Sequence, residues 1–131
     1  MMYDILLIED EKTIQRELKI LLEKYGYHVT TTDDFENVVS FAFSKSPHLI
    51  LLDLNLPVFD GYHICREIRK QSQTPIIVVT SRDSDIDELL SMNLGADDFI
   101  TKPYHTQILL ARIAAILNRT YHNESSNVIS F

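Results

Sequence analysis

Acidic side chains stand at the carboxyl ends of two apolar runs that are typical of buried strands. Glu9 closes the run 3–9 and Asp10 follows it, while Asp53 closes the run 48–53. If the two strands are neighbours, these carboxylates repel one another and raise one another's pKa values unless a cation lies among them. Oxygen ligands with room for water suit Mg²⁺, and no histidine or cysteine stands at these carboxyl ends to favour zinc or copper. The three acids therefore indicate a magnesium site.

Phosphoryl-transfer chemistry follows for Asp53. Beside Mg²⁺ this carboxylate is a nucleophile toward a phosphoryl group and would form an aspartyl phosphate. Lys102 follows the last predicted strand and offers a point charge to one phosphoryl oxygen, and Thr80 follows the fourth and offers a hydroxyl to another. Each acid alone is more simply interpreted as a helix cap or a solvent-facing residue. Together with the lysine and the threonine, the acids favour phosphoryl chemistry, with Asp53, Thr80 and Lys102 as the catalytic residues.

Strand-like and helix-like patterns alternate along the chain and must position these residues. Apolar runs predict strands at 3–9, 27–32, 48–53, 75–79 and 97–100, and helical periodicity predicts helices at 11–25, 34–45, 61–71, 84–93 and 104–119. Short loops and helical crossovers imply parallel strands with right-handed connections. The predicted fold class is α/β, a flavodoxin-like (βα)5 doubly wound parallel sheet with strand order 2-1-3-4-5. Such sheets carry their sites at the carboxyl ends of the strands.

The composition excludes several classes of protein. The chain has 131 residues, 45% hydrophobic and 24% charged, which is typical of one globular domain rather than a disordered or fibrous chain. Its apolar runs are far shorter than the roughly 20 residues that span a bilayer, and no secretory signal is recognisable. A net charge of −7 argues against nucleic-acid binding by this segment itself. With Cys65 as the single cysteine, we expect a cytoplasmic protein without a membrane anchor.

Four motifs resemble those of a bacterial two-component response-regulator receiver domain. They are IEDE at 8–11, LLDLNLPVFDG at 51–61, VTSRD at 79–83 and GADDFITKPY at 95–104. The resemblance covers residues 3–119, with the motifs in the order and spacing of that family. It implies that Asp53 accepts a phosphoryl group from a sensor histidine kinase in a Mg²⁺-dependent reaction. It also implies a cis peptide bond between Lys102 and Pro103.

The same resemblance assigns roles to the other residues of the site. Glu9 and Asp10 would organise Mg²⁺, with Asp53 and the backbone carbonyl of Asn55 as further ligands. Lys102 would contact the phosphoryl group. These assignments make the metal set Glu9, Asp10, Asp53 and Asn55, with Mg²⁺ as the cofactor.

Two further residues match the switch pair of the family, Thr80 and Phe99. On phosphorylation the threonine hydroxyl would be drawn toward the phosphate, and the aromatic ring would turn inward into the vacated space. The family often has tyrosine where this chain has Phe99, so one hydrogen bond would be lost and the packing change kept. Asn55 and Arg82 flank the site and are expected to tune how long the phosphate survives.

The segment 95–117 is similar to that of OmpR/PhoB-type regulators, whose receivers dimerise through helix four, strand five and helix five. Helix five is apolar over most of its circumference, so part of it is expected to meet a partner. Asp98 and Arg112 match one intersubunit ion pair of that subfamily. Ile108 and Glu88 depart from it, because the subfamily has an acid at the first position and a base at the second. We expect a weak, more apolar homodimer that tightens on phosphorylation.

The end of the chain predicts a longer protein. Residues 1–119 form the predicted receiver domain, and residues 120–131 form a polar linker followed by the apolar start of a DNA-binding winged-helix domain. We therefore expect a transcription factor that binds DNA through a C-terminal domain absent from this chain, although a one-domain regulator stays open. The segment 81–104 is also similar to regulators paired with peptide-antibiotic-sensing kinases and ABC transporters.

Other functions fit the sequence less well. A flavodoxin-like cofactor carrier needs a phosphate-binding loop after strand one, where Glu9 and Asp10 would repel a phosphate. A dehalogenase-type phosphatase needs a second acid two residues after its nucleophile, where this chain has Asn55. A pseudo-receiver, regulated by protein binding without phosphorylation, is the main alternative. We expect a signalling protein and not an enzyme.

The remaining polar residues receive no chemical role from the sequence. The five histidines are spread along the chain, so a metal site built from them is not expected; they are His28, His48, His63, His105 and His122. Cys65, on predicted helix three, is expected to be a buried structural thiol.

Overall fold

The computed structural model describes residues 2–122, in which five parallel strands form one sheet with helices on both faces. The strands are β1 (Asp4–Ile8), β2 (His28–Thr31), β3 (Leu49–Leu52), β4 (Ile76–Thr80) and β5 (Asp98–Thr101). The helices are α1 (Lys12–Lys24), α2 (Val38–Lys45), α3 (Gly61–Arg69), α4 (Asp85–Asn93) and α5 (Thr106–Tyr121). The strand order is β2-β1-β3-β4-β5. The predicted fold class and strand order are confirmed.

The core consists of two apolar layers, one on each face of the sheet. Successive side chains of a strand point to opposite faces, so Ile5 and Leu7 pack with α1 and α5, while Leu6 and Ile8 pack with α2 and α3. The central strands β3 and β4 are buried along their whole length. This is the pattern of parallel strands covered on both faces, and it explains their unbroken apolar sequence. Cys65 is buried in the second layer as predicted.

Most helix boundaries lie within two residues of the predicted ones, and the differences at the start of α2 and the end of α5 have a structural cause. α2 begins at Val38 rather than at residue 34, because the Asp34 carboxylate accepts hydrogen bonds from the backbone and side-chain nitrogens of Asn37 and holds a turn there. α5 continues to Tyr121, whose hydroxyl donates to the carbonyl of His48 at 2.6 Å. The predicted boundary at residue 119 therefore falls inside a helix. The predicted start of a DNA-binding domain, at 128–131, lies outside the described residues.

The exposed apolar surface is distributed differently from the sequence prediction. Most large apolar side chains of α5 are buried against the sheet, and the exposed ones are Ile108 in its first turn and Tyr121 at its end. The larger exposed apolar area lies on α4, in the side chains of Ile86, Leu89, Leu90 and Met92. Apart from one buried stripe, α5 carries exposed alanines and the exposed Ile108, and the predicted partner contact of this helix stays a prediction.

Three of the five histidines lie at one end of the sheet, although the sequence predicts scattered positions. His28, His48 and His122 lie at the amino end of the sheet, where Nδ1 of His28 lies 2.9 Å from Oδ1 of Asp4 and the Tyr3 hydroxyl is hydrogen-bonded to the ring of His122. They do not form a three-ligand metal cluster. In the described part of the chain, the group of potential metal ligands with suitable spacing is Glu9, Asp10 and Asp53. Within residues 2–122, no helix is both long and apolar enough to cross a bilayer.

Candidate functional site

The acid cluster forms where two neighbouring strands end. Glu9 and Asp10 follow β1 directly, and Asp53 follows β3 directly. β1 and β3 are hydrogen-bonded in parallel with Ile8 opposite Leu52, so the residues after them meet at the same edge of the sheet. One carboxylate oxygen from each of the three acids lies within 4.8 Å of the others. The sequence prediction that these acids come together is confirmed.

Lys102 enters this cluster from the loop after β5. Its Nζ donates to Oε1 of Glu9 at 2.5 Å and to Oδ2 of Asp53 at 3.0 Å. Its backbone N–H donates to the carbonyl of Thr80 at 2.8 Å, which fixes the loop against β4. The peptide bond to Pro103 is cis, as the resemblance implies. The structure thus brings the predicted lysine and the predicted phosphoacceptor into direct contact.

Burial and charge shift the pKa values of two groups in the cluster. Burial raises the pKa of the Glu9 carboxyl, and this outweighs the hydrogen bonds that it accepts from Lys102 and from the backbone of Glu11. Burial by itself would lower the pKa of Lys102, but the hydrogen bonds and negative charges of Glu9 and Asp53 raise it. Lys102 is therefore held as a cation between two acids.

Asp53 is held rigidly and still faces the cleft. The residue is 5% exposed, and its backbone N–H donates to the carbonyl of Ile8 at 3.0 Å. Its Oδ1 accepts from the backbone N–H of Asn55 at 3.1 Å, and its Oδ2 accepts from Lys102. Both carboxylate oxygens thus have a donor, and the side chain lines an open cleft of about 960 Å³. This carboxylate is therefore buried, held by two hydrogen bonds and in contact with the cleft.

The ligand set of the cluster fits Mg²⁺. Glu9, Asp10 and Asp53 offer only oxygen ligands, and Asp10 is exposed at the mouth of the cleft, where waters can complete an octahedral shell. Asn55 lines the same cleft. Because soft ligands take no part in this cluster, the chemistry of the donors favours a hard divalent cation over zinc.

The predicted switch residues, Thr80 and Phe99, lie behind the site. Thr80 is fully buried, and its Oγ1 accepts from the backbone N–H of Arg82 at 3.3 Å. Phe99 lies on the neighbouring strand β5 opposite Val78 and is only 8% exposed. The ring therefore already lies inside the second apolar layer in this structure. The resemblance, in contrast, implied a ring that turns inward only on phosphorylation.

The predicted interface residues lie on the α4, β5 and α5 face, but the ion pair is formed within one chain. Arg112 donates from Nη1 to Oδ1 and Oδ2 of Asp98 at 3.0 and 3.2 Å. Ile108 is 49% exposed and Glu88 is also exposed. The face is thus accessible, and its acid and base already neutralise each other.

Three residues beside the site were not assigned from the sequence. Gly61, at the start of α3, packs against the backbone of Asp53, and Tyr62 and Asp87 contact Arg82 next to the cleft. Ser84 and Asp87 do carry a local signal, since their spacing is that of a capping box at a helix start. The contact of Tyr62 with Arg82 has no such signal because the two residues are 20 positions apart in the sequence.

An open parallel α/β sheet with an acid cluster, a lysine and a buried threonine at its carboxyl edge defines a flavodoxin-like signalling domain with an aspartate site. Residues 5–114 match the family described as the response regulator receiver domain, and the chain belongs to this family. The sequence-based recognition is confirmed.

Known proteins and structures agree with this membership. The chain is 47% identical over 125 residues to the sensory transduction protein BceR of Halalkalibacterium halodurans, covering 95% of this chain and 54% of that protein. It resembles the BeF3-activated N-terminal receiver domain of Klebsiella pneumoniae RstA, with 34% identity and a TM-score of 0.84 over 87% of this chain and 97% of that one. It also resembles the N-terminal domain of the nisin resistance regulator NsrR, described as a lantibiotic response regulator, with 37% identity and a TM-score of 0.80 over 88% and 97% of the two chains. The chain spans about half the length of the curated relatives it matches.

Proposed function

We propose that this receiver domain accepts a phosphoryl group on Asp53 from a sensor histidine kinase. The observation that carries the proposal is the contact of the buried Asp53 carboxylate with Lys102 at 3.0 Å, beside the carboxylates of Glu9 and Asp10. A nucleophile, a fixed cation and a hard-metal ligand set meet at one point. A structural ion pair alone does not require Asp10 beside the two acids that Lys102 contacts.

Each residue of the site has a separate role in the proposed phosphoryl transfer. An oxygen of Asp53 forms the bond to phosphorus while the bond from phosphorus to the donor nitrogen of the kinase histidine breaks, and the electron pair stays on that nitrogen. Lys102 pairs with a phosphoryl oxygen, and the Thr80 hydroxyl donates to another. Glu9, Asp10, Asp53 and the backbone carbonyl of Asn55 would hold Mg²⁺, which neutralises negative charge on the transferring oxygens.

The proposed output is a change at the face formed by α4, β5 and α5. A phosphoryl group adds about 1.5 to 2 negative charges, enough to draw donors such as the Thr80 hydroxyl toward it. Thr80 and Phe99 are the proposed switch, and the homodimer through this face is the proposed result. The exposed apolar side chains of α4, together with Ile108, support an apolar contact. In the dimer, Asp98 of one copy would pair with Arg112 of the other, in place of the ion pair that the two residues form within one chain.

The wider role rests on the family. We propose that the chain is the receiver part of a cytoplasmic transcription regulator that binds DNA through a winged-helix domain following it. The similarity to a lantibiotic response regulator supports a pathway that senses peptide antibiotics. The domain would act as a signalling protein and not as an enzyme on a separate substrate. It would have no membrane partner.

The test is intact-protein mass after incubation of the 131-residue chain with Mg²⁺ and a small phosphodonor. Wild type is expected to gain about 80 Da, one phosphoryl group, and Asp53→Asn is expected to gain nothing. Asp83→Asn, which removes an exposed acid in a neighbouring loop, is the matched control and should gain the same mass as wild type. A folded wild-type chain that gains no mass would overturn the proposal and favour the pseudo-receiver, regulated by protein binding alone.

A further inference from the structure

One side-chain network connects the mouth of the proposed phosphorylation site to the first turn of α4. Arg82 donates from Nε to Oδ1 of Asn55 at 2.7 Å, and the amide nitrogen of Asn55 donates to Oγ of Ser81 at 3.1 Å. The amide of Asn55, two residues after Asp53, is therefore engaged at both ends. A side chain engaged in this way cannot turn to orient a water toward Asp53.

Arg82 is itself held from the other side by two residues. Its guanidinium carbon lies 5.4 Å from the centre of the Tyr62 ring, a cation–π contact, and its Nη1 lies 4.0 Å from Oδ1 of Asp87. The Tyr62 hydroxyl donates to that same Oδ1 at 2.5 Å. Tyr62 on α3 and Asp87 on α4 thus form a support against which Arg82 rests.

The carboxylate of Asp87 is fixed by the cap of α4. Its Oδ2 accepts from Oγ of Ser84 at 2.6 Å, and its backbone N–H donates to the same Oγ at 3.0 Å. The Arg82 side chain is 32% exposed, so it needs this support to keep one position. The network therefore transmits the geometry of the α4 cap to Asn55 through three successive contacts.

We propose that Tyr62 and Asp87 are positioning residues that prolong the life of the aspartyl phosphate by holding Arg82 against Asn55. The inference rests on the proposed function, since it concerns the loss of the phosphoryl group from Asp53. In that step a water oxygen bonds to phosphorus, the bond from phosphorus to the Asp53 oxygen breaks, and its electron pair restores the carboxylate. Both water protons leave on the released dihydrogen phosphate. With the amide of Asn55 engaged by Arg82 and Ser81, the attacking water lacks a side chain that orients it.

The experiment measures the half-life of the phosphorylated 131-residue chain by intact mass after removal of the small phosphodonor. Tyr62→Phe removes the hydroxyl and keeps the ring, and Asp87→Asn removes the charge and keeps the shape. Each is expected to shorten the half-life by about threefold, the effect of one lost hydrogen bond. The double variant should shorten it no more than the stronger single one, because both act through Arg82.

The controls separate positioning from a general loss of structure. Asp85→Asn removes a charge from the same first turn of α4 without touching Arg82, and Tyr25→Phe removes an exposed hydroxyl at the end of α1. Both should keep the wild-type half-life. In an Arg82→Gln background, adding Tyr62→Phe should not change the half-life, because Tyr62 acts through Arg82. If Tyr62 only stabilised the fold, its loss would shorten the half-life in that background too.

The outcomes distinguish the two proposals. If wild type takes up a phosphoryl group and Tyr62→Phe and Asp87→Asn keep its half-life or lengthen it, the positioning role is overturned and the proposed function stands. The same holds if their effects multiply, or if Asp85→Asn shortens the half-life equally. If wild type takes up no phosphoryl group, the proposed function fails and the positioning role fails with it.

Discussion

A methyl group at Gly61 would lie 2.4 Å from the carbonyl oxygen of Asp53. It would also lie 2.6 Å from the Cα of Leu54, so both obstacles are backbone atoms that cannot rotate away. The Gly61 N–H donates to the carbonyl of Leu54 at 2.9 Å, which draws the start of α3 onto the loop that follows Asp53, the proposed phosphoacceptor. The position of Asp53 therefore depends on the absence of a side chain at residue 61.

The first prediction concerns this contact. Gly61→Ala is expected to lower the free energy of unfolding by about 2 to 3 kcal/mol, because the loop must move to admit the methyl group. Urea unfolding followed by circular dichroism measures the loss. Gly26→Ala is the control, since a Cβ there meets nothing within 4 Å and the strain comes only from its φ of +93°. A loss no greater than that of Gly26→Ala would contradict the close-packing argument.

The acid cluster predicts a stability effect of Mg²⁺. Asp10→Asn should stabilise the metal-free chain by about 0.5 kcal/mol, because it removes one of three mutually repelling carboxylates. Millimolar Mg²⁺ should then raise the urea midpoint of wild type and leave that of Asp10→Asn nearly unchanged, since a ligand stabilises only the form that binds it. Glu23→Gln, an exposed acid near the end of α1, should respond to Mg²⁺ like wild type. An equal response of Asp10→Asn would show that Asp10 is not a ligand.

The sequence was sufficient for the sheet and for the acid cluster because both depend on local pattern. Buried parallel strands need unbroken apolar runs, and the residue after each run must lie at the carboxyl edge. Glu9, Asp10 and Asp53 could therefore be placed together before the structure was known. The same rule places Lys102 and Thr80 at the carboxyl edge, because they stand at the ends of β5 and β4.

The contacts between loops could not be predicted in this way. Arg82 meets Tyr62 only because α3 lies beside the loop that carries Arg82, and nothing in the local sequence of Arg82 specifies that neighbour. The burial of α5 depends likewise on how the helix is rotated on the sheet. Its apolar positions cover most of the circumference, so the sequence alone did not determine which of them, Ile108 among others, stays exposed.

A second residue of the β3–α3 loop carries backbone strain. Val58 has a φ of +69° and is 66% exposed, although a β-branched residue disfavours this left-handed conformation. Val58→Asn should raise the free energy of unfolding by about 0.5 to 1 kcal/mol, because asparagine tolerates that conformation and little apolar burial is lost. Val58→Thr keeps the branched Cβ and should gain nothing. Equal stabilities of the two variants in urea would argue against strain at this position.

Arg69 joins two loops at the amino end of the sheet. Its guanidinium is largely buried and donates to the carbonyl oxygens of Ser72, Thr74 and Gly95 at 2.7 to 3.0 Å. Arg69→Lys should cost about 2 to 3 kcal/mol, because an ammonium group cannot reach both loops and leaves carbonyls without donors. Arg66→Lys, an exposed change on the same helix, should cost less than 0.5 kcal/mol by the usual scale of surface substitutions. Similar unfolding midpoints for the two variants would count against this role of Arg69.

The carboxylate of Asp87 predicts a specific pH dependence of stability. Hydrogen bonds from Ser84 and then Tyr62, with the charge of Arg82, hold the pKa of Asp87 below its usual 3.8. A group whose pKa is lower in the folded than in the unfolded state stabilises the fold above its unfolded pKa, and this contribution is lost as the pH falls through the folded value.

Wild type should therefore exceed Asp87→Asn in urea midpoint by a constant amount at neutral and mildly acidic pH, and the difference should shrink below pH 3.8. The other acids are common to both chains, so their titration cancels in the comparison. The Ser84 hydrogen bond is the largest cause of the lowered pKa of Asp87. If Ser84→Ala is introduced into both wild type and Asp87→Asn, the difference in urea midpoint between these two chains should therefore depend less on pH. A difference that stayed constant down to about pH 2, or grew as the pH fell, would contradict the assigned hydrogen bonds.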